Sequence, residues 1–149
     1  MEFGVLARLI GYLGDHEVRR TILRGLTPYK PQYSQRWLES TVRLRNACAH
    51  QSRLTFYKMP ATTHLLRADA PYASQMLFPA VIACARLYAA GWNDAHHLNF
   101  VASLADLFAR YPDISPAWLG FPANWRDVLT THPPALASPS PPSPPHPMR

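Results

Sequence analysis

The sequence predicts an all-α protein, a bundle of short to medium helices resembling no sheet-bearing class. Three observations carry this. Apolar residues recur at three- and four-residue intervals in one segment after another. No segment shows convincing period-two alternation. Proline, glycine and small polar residues separate the periodic segments, as helix starts and stops require. The chain has 149 residues, 48% of them apolar and 16% charged, which suits one packed domain over most of its length.

The elements follow in order. Phe3, Leu6, Ile10 and Leu13 are spaced for a first helix, closed by Gly14. Asp15 can cap a second helix reaching about Leu26, with Val18, Ile22 and Leu26 on one face. Pro28 and Pro31 mark Thr27 to Gln32 as a connection. Ser34 is a candidate N-cap for a helix from about Gln35 into the low fifties. There Trp37, Thr41, Leu44 and Cys48 fall on one side. Arg45, Asn46, Ala49, His50 and Arg53 fall on the other, within about 140°. Met59-Pro60 and Thr62 to Asp69 read as loop. Pro71 suits the first turn of a long helix to about Ala90, which Pro79 should kink or divide. Gly91 can end it, and Asn93 or Asp94 can cap the next, to Arg110. Leu98, Val101, Ala105 and Phe108 line one face there, widened by Phe100, Leu104 and Leu107, so deep burial is expected. Pro112 ends that helix, Pro116 starts a short turn, and Ala123 to about Thr131 forms the last helix, with Trp125 and Leu129 inward.

Eight of the 16 prolines lie in residues 133–149, a segment with little to bury. The helical domain is therefore expected over 1–132, and the Pro-rich tail is expected to be disordered or polyproline-II. The net charge of +6 suits a polyanionic partner. The two cysteines, Cys48 and Cys84, are too few for a disulfide framework and lie in apolar patterns. Neither a secretory leader nor a membrane-length apolar run is evident, and a cytoplasmic setting is expected.

The chemistry-bearing segment is Val42-Arg43-Leu44-Arg45-Asn46-Ala47-Cys48-Ala49-His50-Gln51-Ser52-Arg53-Leu54. It resembles the R-N-x-x-x-H signature of the HEPN superfamily, most closely that of the Abi-like proteins of bacterial abortive-infection systems. In these the stretch typically reads R-N-x-C-A-H-H-S-R-L. Arg45, Asn46, Cys48, Ala49, His50, Ser52, Arg53 and Leu54 match in place. Gln51 replaces a second histidine, and Thr55-Phe56-Tyr57 replaces a tryptophan and a polar pair. Phe3-Gly4, Tyr111-Pro112 and Leu119-Gly120-Phe121-Pro122-Ala123-Asn124-Trp125 resemble the family's flanking segments, so the likeness spans about residues 1–130. Family members are usually longer at the N-terminal side, and this chain resembles their C-terminal part.

The resemblance implies a HEPN-like bundle and metal-independent cleavage of RNA by the adjacent 2′-OH, with no cofactor. It implies that His50 is the acid/base, Arg45 the clamp on the phosphate oxygens and Asn46 the orienting group. Arg43 and Arg53 would attract the RNA backbone. The chemistry suits these residue types, because imidazole can take or give a proton near neutrality and guanidinium forms paired hydrogen bonds to phosphate. One histidine cannot easily serve as acid and base together, so the resemblance also implies a homodimer with two signatures across a cleft. Leu38, Val42 and Ala49 are candidates for its apolar contacts. An antitoxin or a phage-derived regulator is a further implied partner; a membrane is not.

Two other readings stand beside this one: a helical module that binds RNA or nucleotide without cutting, and an inactive truncated remnant. His96-His97 does not suit a metal, because adjacent helical residues point about 100° apart. His16, His64 and His132 suit the surface. Trp37, Trp118 and Trp125 suit the core. No P-loop or dinucleotide-binding glycine pattern is present.

Overall fold

A computed structural model describes residues 10, 12–50, 53–91 and 94–131. Among these the chain is all-α, with no strand. Ile10 and Tyr12 are helical, and after them come α1 (His16–Leu26), α2 (Pro31–Ala49), α3 (Phe78–Gly91), α4 (Asp94–Arg110) and α5 (Trp125–Thr130). Two 3-10 turns, Arg67–Tyr72 and Pro116–Leu119, punctuate the longer connections. The most extensive pairing is α2 on α3; α1 packs on α2, α4 on α3 and α5 on α4. Most of the first predicted helix and the whole Pro-rich tail lie outside the described residues.

Local chemistry sets several boundaries. The Asp15 carboxylate accepts from the backbone N–H of Glu17 at 2.8 Å and of Val18 at 3.1 Å, capping α1 as expected. Helix α2 starts earlier than predicted, with Pro31 in its first turn and Lys30 at the N-cap. Ser34 is not a cap. Its fully buried hydroxyl pairs with that of Thr27 at 2.8 Å, tying the α1–α2 connection to the helix it leads into. Pro79 divides the long predicted segment: Pro71 sits in a 3-10 turn, and α3 starts only at Phe78. Proline lacks the N–H that a helix interior needs, so it is tolerated in the first turn and not beyond.

The main core gathers Phe78, Val81, Ile82 and Ala85 of α3 with Val101, Phe121, Trp125, Val128 and Leu129. Its aromatic rings meet edge-on or tilted, with centroids 4.8 Å apart for Phe78–Phe121 and 5.6 Å for Phe121–Trp125. A second cluster surrounds the fully buried Trp37, whose indole N–H donates to the His64 carbonyl at 2.7 Å. A third joins Ile10, Leu23 and Leu38 across α1 and α2.

Three expected faces differ. On α1, Val18 and Ile22 are exposed and Leu23 is buried, because α2 meets the adjacent face. On α4, Val101 is buried but Leu98 and Leu107 are about half exposed, so this helix lies against the core rather than deep within it. Trp118 is 41% exposed, unlike Trp37 and Trp125, because its 3-10 turn lies on the surface.

Among the described residues, a charged polar network lies in the interior. Arg86 and Asp69 form a two-pronged ion pair, at 2.9 Å through Nη2 and 3.3 Å through Nε, with side chains 1% and 5% exposed. The same guanidinium donates to the carbonyls of Thr131 at 2.6 Å and Val128 at 3.0 Å. It thus serves carbonyls that the end of α5 leaves without helical partners. Removing one member of a buried pair strands the other charge. Arg86→Ala should therefore lower unfolding free energy by about 3–5 kcal/mol in urea melts. The double change Arg86→Met with Asp69→Leu should cost clearly less, since no lone charge remains.

Candidate functional site

The residues of the signature lie on the last turn of α2 and just beyond it. Nineteen residues of helix, anchored in the middle by Trp37 and Leu38, carry the chain out to His50. His50 is the C-cap, with φ −86° and ψ 14°, and its backbone N–H donates to the Asn46 carbonyl at 2.9 Å. The Arg45 guanidinium donates through Nη1 to the Asn46 side-chain oxygen at 3.1 Å. The Asn46 side chain therefore holds the Arg45 guanidinium, whereas its backbone bond to His50 is the ordinary bond that closes the last helical turn. Arg45 and His50 are exposed and Asn46 is half-buried. Ala47 faces inward at 5% exposure and holds this turn against the fold.

The two flanking arginines are placed differently. Arg43 shares the helical face of His50, seven residues earlier, and lies 3.9 Å from the Glu39 carboxylate. Glu39 also meets Arg36 at 3.8 Å. Arg53 is not on the helix, because α2 ends at Ala49. The prediction that it continues the helical arc is corrected: it lies in the following non-helical segment, exposed, with Nε donating to the Thr55 hydroxyl at 3.0 Å. Cys48 is also corrected. It was expected on the core side, yet it is exposed, since the covering elements stop short of the last turn. Leu38 is occupied in the cluster with Ile10 and Leu23, which leaves Val42 and Ala49 as the more accessible apolar groups on this face.

The floor beneath the site comes from elsewhere in the chain. Leu44, Leu54, Tyr57 and Leu119 pack on Met59, Leu77 and Ala80. Backbone bonds join these loops: Phe56 N–H to the Trp118 carbonyl at 2.7 Å, Met59 N–H to Gln75 at 2.7 Å and Leu77 N–H to Leu119 at 3.2 Å. Phe56 has a left-handed backbone, φ 59°, and its exposed ring lies 5.8 Å from that of Trp118. This exposed aromatic pair was missed by the sequence reading. Phe56 follows the signature closely, but nothing local announces that Trp118 leaves the core to join it.

The arrangement offers an exposed guanidinium held by the neighbouring amide and an exposed imidazole five residues further on, with two aromatic faces carried by loops that pack near α2. Among the described residues, no group of three or more His, Cys, Asp or Glu side chains could hold a metal ion. Nor is any described helix long and apolar enough to cross a membrane. Comparison with protein-family models, with curated proteins and with solved structures finds no match.

The two thiols differ in environment. Burial pushes the Cys84 thiol above its ordinary range, with the Thr41 hydroxyl beside it pulling the other way. Thiolate is the nucleophile, so a raised and buried thiol reacts slowly. Iodoacetamide at neutral pH should modify Cys48 in the native chain and reach Cys84 only after unfolding, as mass spectrometry of the peptides would register.

Proposed function

We propose that the chain is a metal-independent endoribonuclease of the HEPN type, as its signature resembles, acting in a bacterial abortive-infection or toxin system. The observation that supports this best is the exposure of Arg45 and His50 at the end of α2, with the Arg45 guanidinium held by the side chain of Asn46 between them. A structural role for Arg45 and His50 would more naturally bury or ion-pair them, as Arg86 is.

The chemistry balances without a cofactor. A base takes the proton from the 2′-OH, and the oxygen attacks the adjacent phosphorus. The bond from phosphorus to the 5′-oxygen breaks, and an acid returns a proton to that leaving oxygen. The products are a 2′,3′-cyclic phosphate and a 5′-hydroxyl. Negative charge gathers on the non-bridging oxygens, where the Arg45 fork can hold it by paired hydrogen bonds. Asn46 fixes the Arg45 guanidinium, which limits how far the clamp must reorganise. His50 supplies one proton-transfer group per chain, so the second comes from a second copy across a two-fold seam. Val42 and Ala49 flank that face, and Arg43 and Arg53 add positive charge beside it.

Binding without cutting is the second reading. It is favoured by the single histidine of the turn, which leaves one chain half-equipped for acid–base work. The two are separated by incubating the purified chain with single-stranded RNA in the presence of EDTA. Cleavage with cyclic-phosphate ends is expected. His50→Ala should abolish it while unfolding free energy stays within about 0.5 kcal/mol of wild type, since the ring is exposed. Arg45→Ala should cut the rate by about 10²–10³ and weaken binding as well. Cleavage at the wild-type rate by His50→Ala would overturn the role given to that residue.

A further inference from the structure

A second cationic site lies at the opposite end of α2. An open groove of about 980 Å³ runs between α1 and the start of α2, lined by Arg19, Arg20, Arg24 and Lys30, with His16 and a single acid, Glu17. Lys30, Arg20 and Arg24 are exposed, and Arg19 is half-buried. The Arg19 guanidinium donates to His16 Nδ1 at 2.8 Å, so it leans on a neutral ring nitrogen rather than on a carboxylate. Glu17 meets Arg20 only at 3.9 Å, with both side chains more than half exposed, where water and salt screen the pair. Arg20 and Arg24 stand one turn apart on the same ridge. Like charges at that spacing cost a helix a few tenths of a kcal/mol. The fold thus concentrates cations in a concave place without supplying acids to match them.

The groove is connected to the signature by the helix itself. Gln32 and Gln35 line it. From them Glu39, Arg43, Asn46 and His50 follow at intervals of three and four, so all six residues form one stripe along α2. Every member of that stripe is exposed or half-exposed. Its one carboxylate, Glu39, lies between Arg36 and Arg43 and is offset by both. From Gln35 to His50 the stripe covers ~22 Å.

We infer that the groove holds the phosphate backbone of a single-stranded RNA whose scissile linkage lies at His50, the strand following the polar stripe between the two. This rests on the endoribonuclease reading and adds to it where the substrate is held away from the reacting phosphate. Guanidinium groups one helical turn apart can each take a phosphate through paired hydrogen bonds. The glutamines of the stripe can bond to sugar and base without choosing a sequence. A substrate too short to reach across would lose this grip.

The test measures fluorescence anisotropy of a labelled single-stranded RNA about twelve nucleotides long, bound by the full chain at low salt. Arg20→Ala with Arg24→Ala should weaken binding about tenfold or more and make the salt dependence shallower by about one to two ions. Arg24→Gln with Lys30→Gln should act likewise without disturbing the Arg20–Glu17 pair. Arg110→Ala, an exposed arginine outside the groove, should bind as wild type. Thermal melts identify any variant that fails to fold, and the two groove pairs check each other. If both groove variants bind as wild type while Arg45→Ala binds weakly, the groove inference falls and the endoribonuclease reading stands. If the wild-type chain binds no RNA, both fall. If polyglutamate binds the groove and RNA does not displace it, the groove is a site for an acidic protein and the inference falls.

Discussion

The fold depends on one interior charge that must be satisfied. Arg86 projects from α3 into space from which water is excluded, and four hydrogen bonds meet its guanidinium there. Two come from Asp69, in the 3-10 turn of the long α2–α3 connection, and two from carbonyls near the end of α5. A planar fork with fixed directions cannot be satisfied by partners placed approximately. It therefore sets the position of the connection and of the last helix together. The aromatic core of Phe78, Phe121 and Trp125 fills the volume so defined, and apolar burial supplies most of the driving force. The ion pair contributes specificity of arrangement more than net stability, because desolvating both charges is costly.

That arrangement is what brings the surface near the end of α2 into being. The segment between α2 and α3 has little secondary structure of its own. It is tethered at Asp69, at Phe56 and Leu77 by backbone bonds to Trp118 and Leu119, and closed on itself by the Met59–Gln75 bond. Leu54 and Tyr57 are thereby packed in the same cluster as Leu44, which leaves the outer face of the final turn of α2 uncovered while Ala47 stays buried. A helix whose middle is clamped and whose end is open can present polar side chains to solvent on a rigid support. Arg45, Asn46 and His50 have that support, which a loop of the same sequence would lack.

The charge distribution follows the same division. Arg86 of α3 is compensated in the interior by Asp69 of the 3-10 turn, while several of the exposed cations lie toward the two ends of α2. At the start of α2 they surround a concavity with α1; at its end they flank an amide and an imidazole. In a concave site, like charges gathered together attract a polyanion more strongly than the same groups on a convex surface.

Much of this was legible in the residues themselves. Helix periodicity located α1, α2, α4 and α5, because an apolar stripe at 3.6-residue spacing is a local property. Asp15, Pro112, Trp125 and Leu129 play the parts their types and positions suggest, since caps, breaks and large apolar anchors act within a few residues. The spacing of Arg45, Asn46 and His50 likewise needs only a helix to put them within one arc of its surface. Which stripe a neighbour would cover was not local. Val18 and Ile22 are exposed, while Leu23 meets Leu38, because α1 lands on α2 at an angle that no periodicity encodes. Ser34 bonds with Thr27 instead of capping, Cys48 faces water, Arg53 leaves the helix and Trp118 leaves the core, each decided by where another segment stops. The residues by themselves determined the helices and the helix end that carries the candidate residues. Only packing decided which faces became interior, because burial is a relation between segments far apart in the chain, whereas helix formation is a relation between near neighbours.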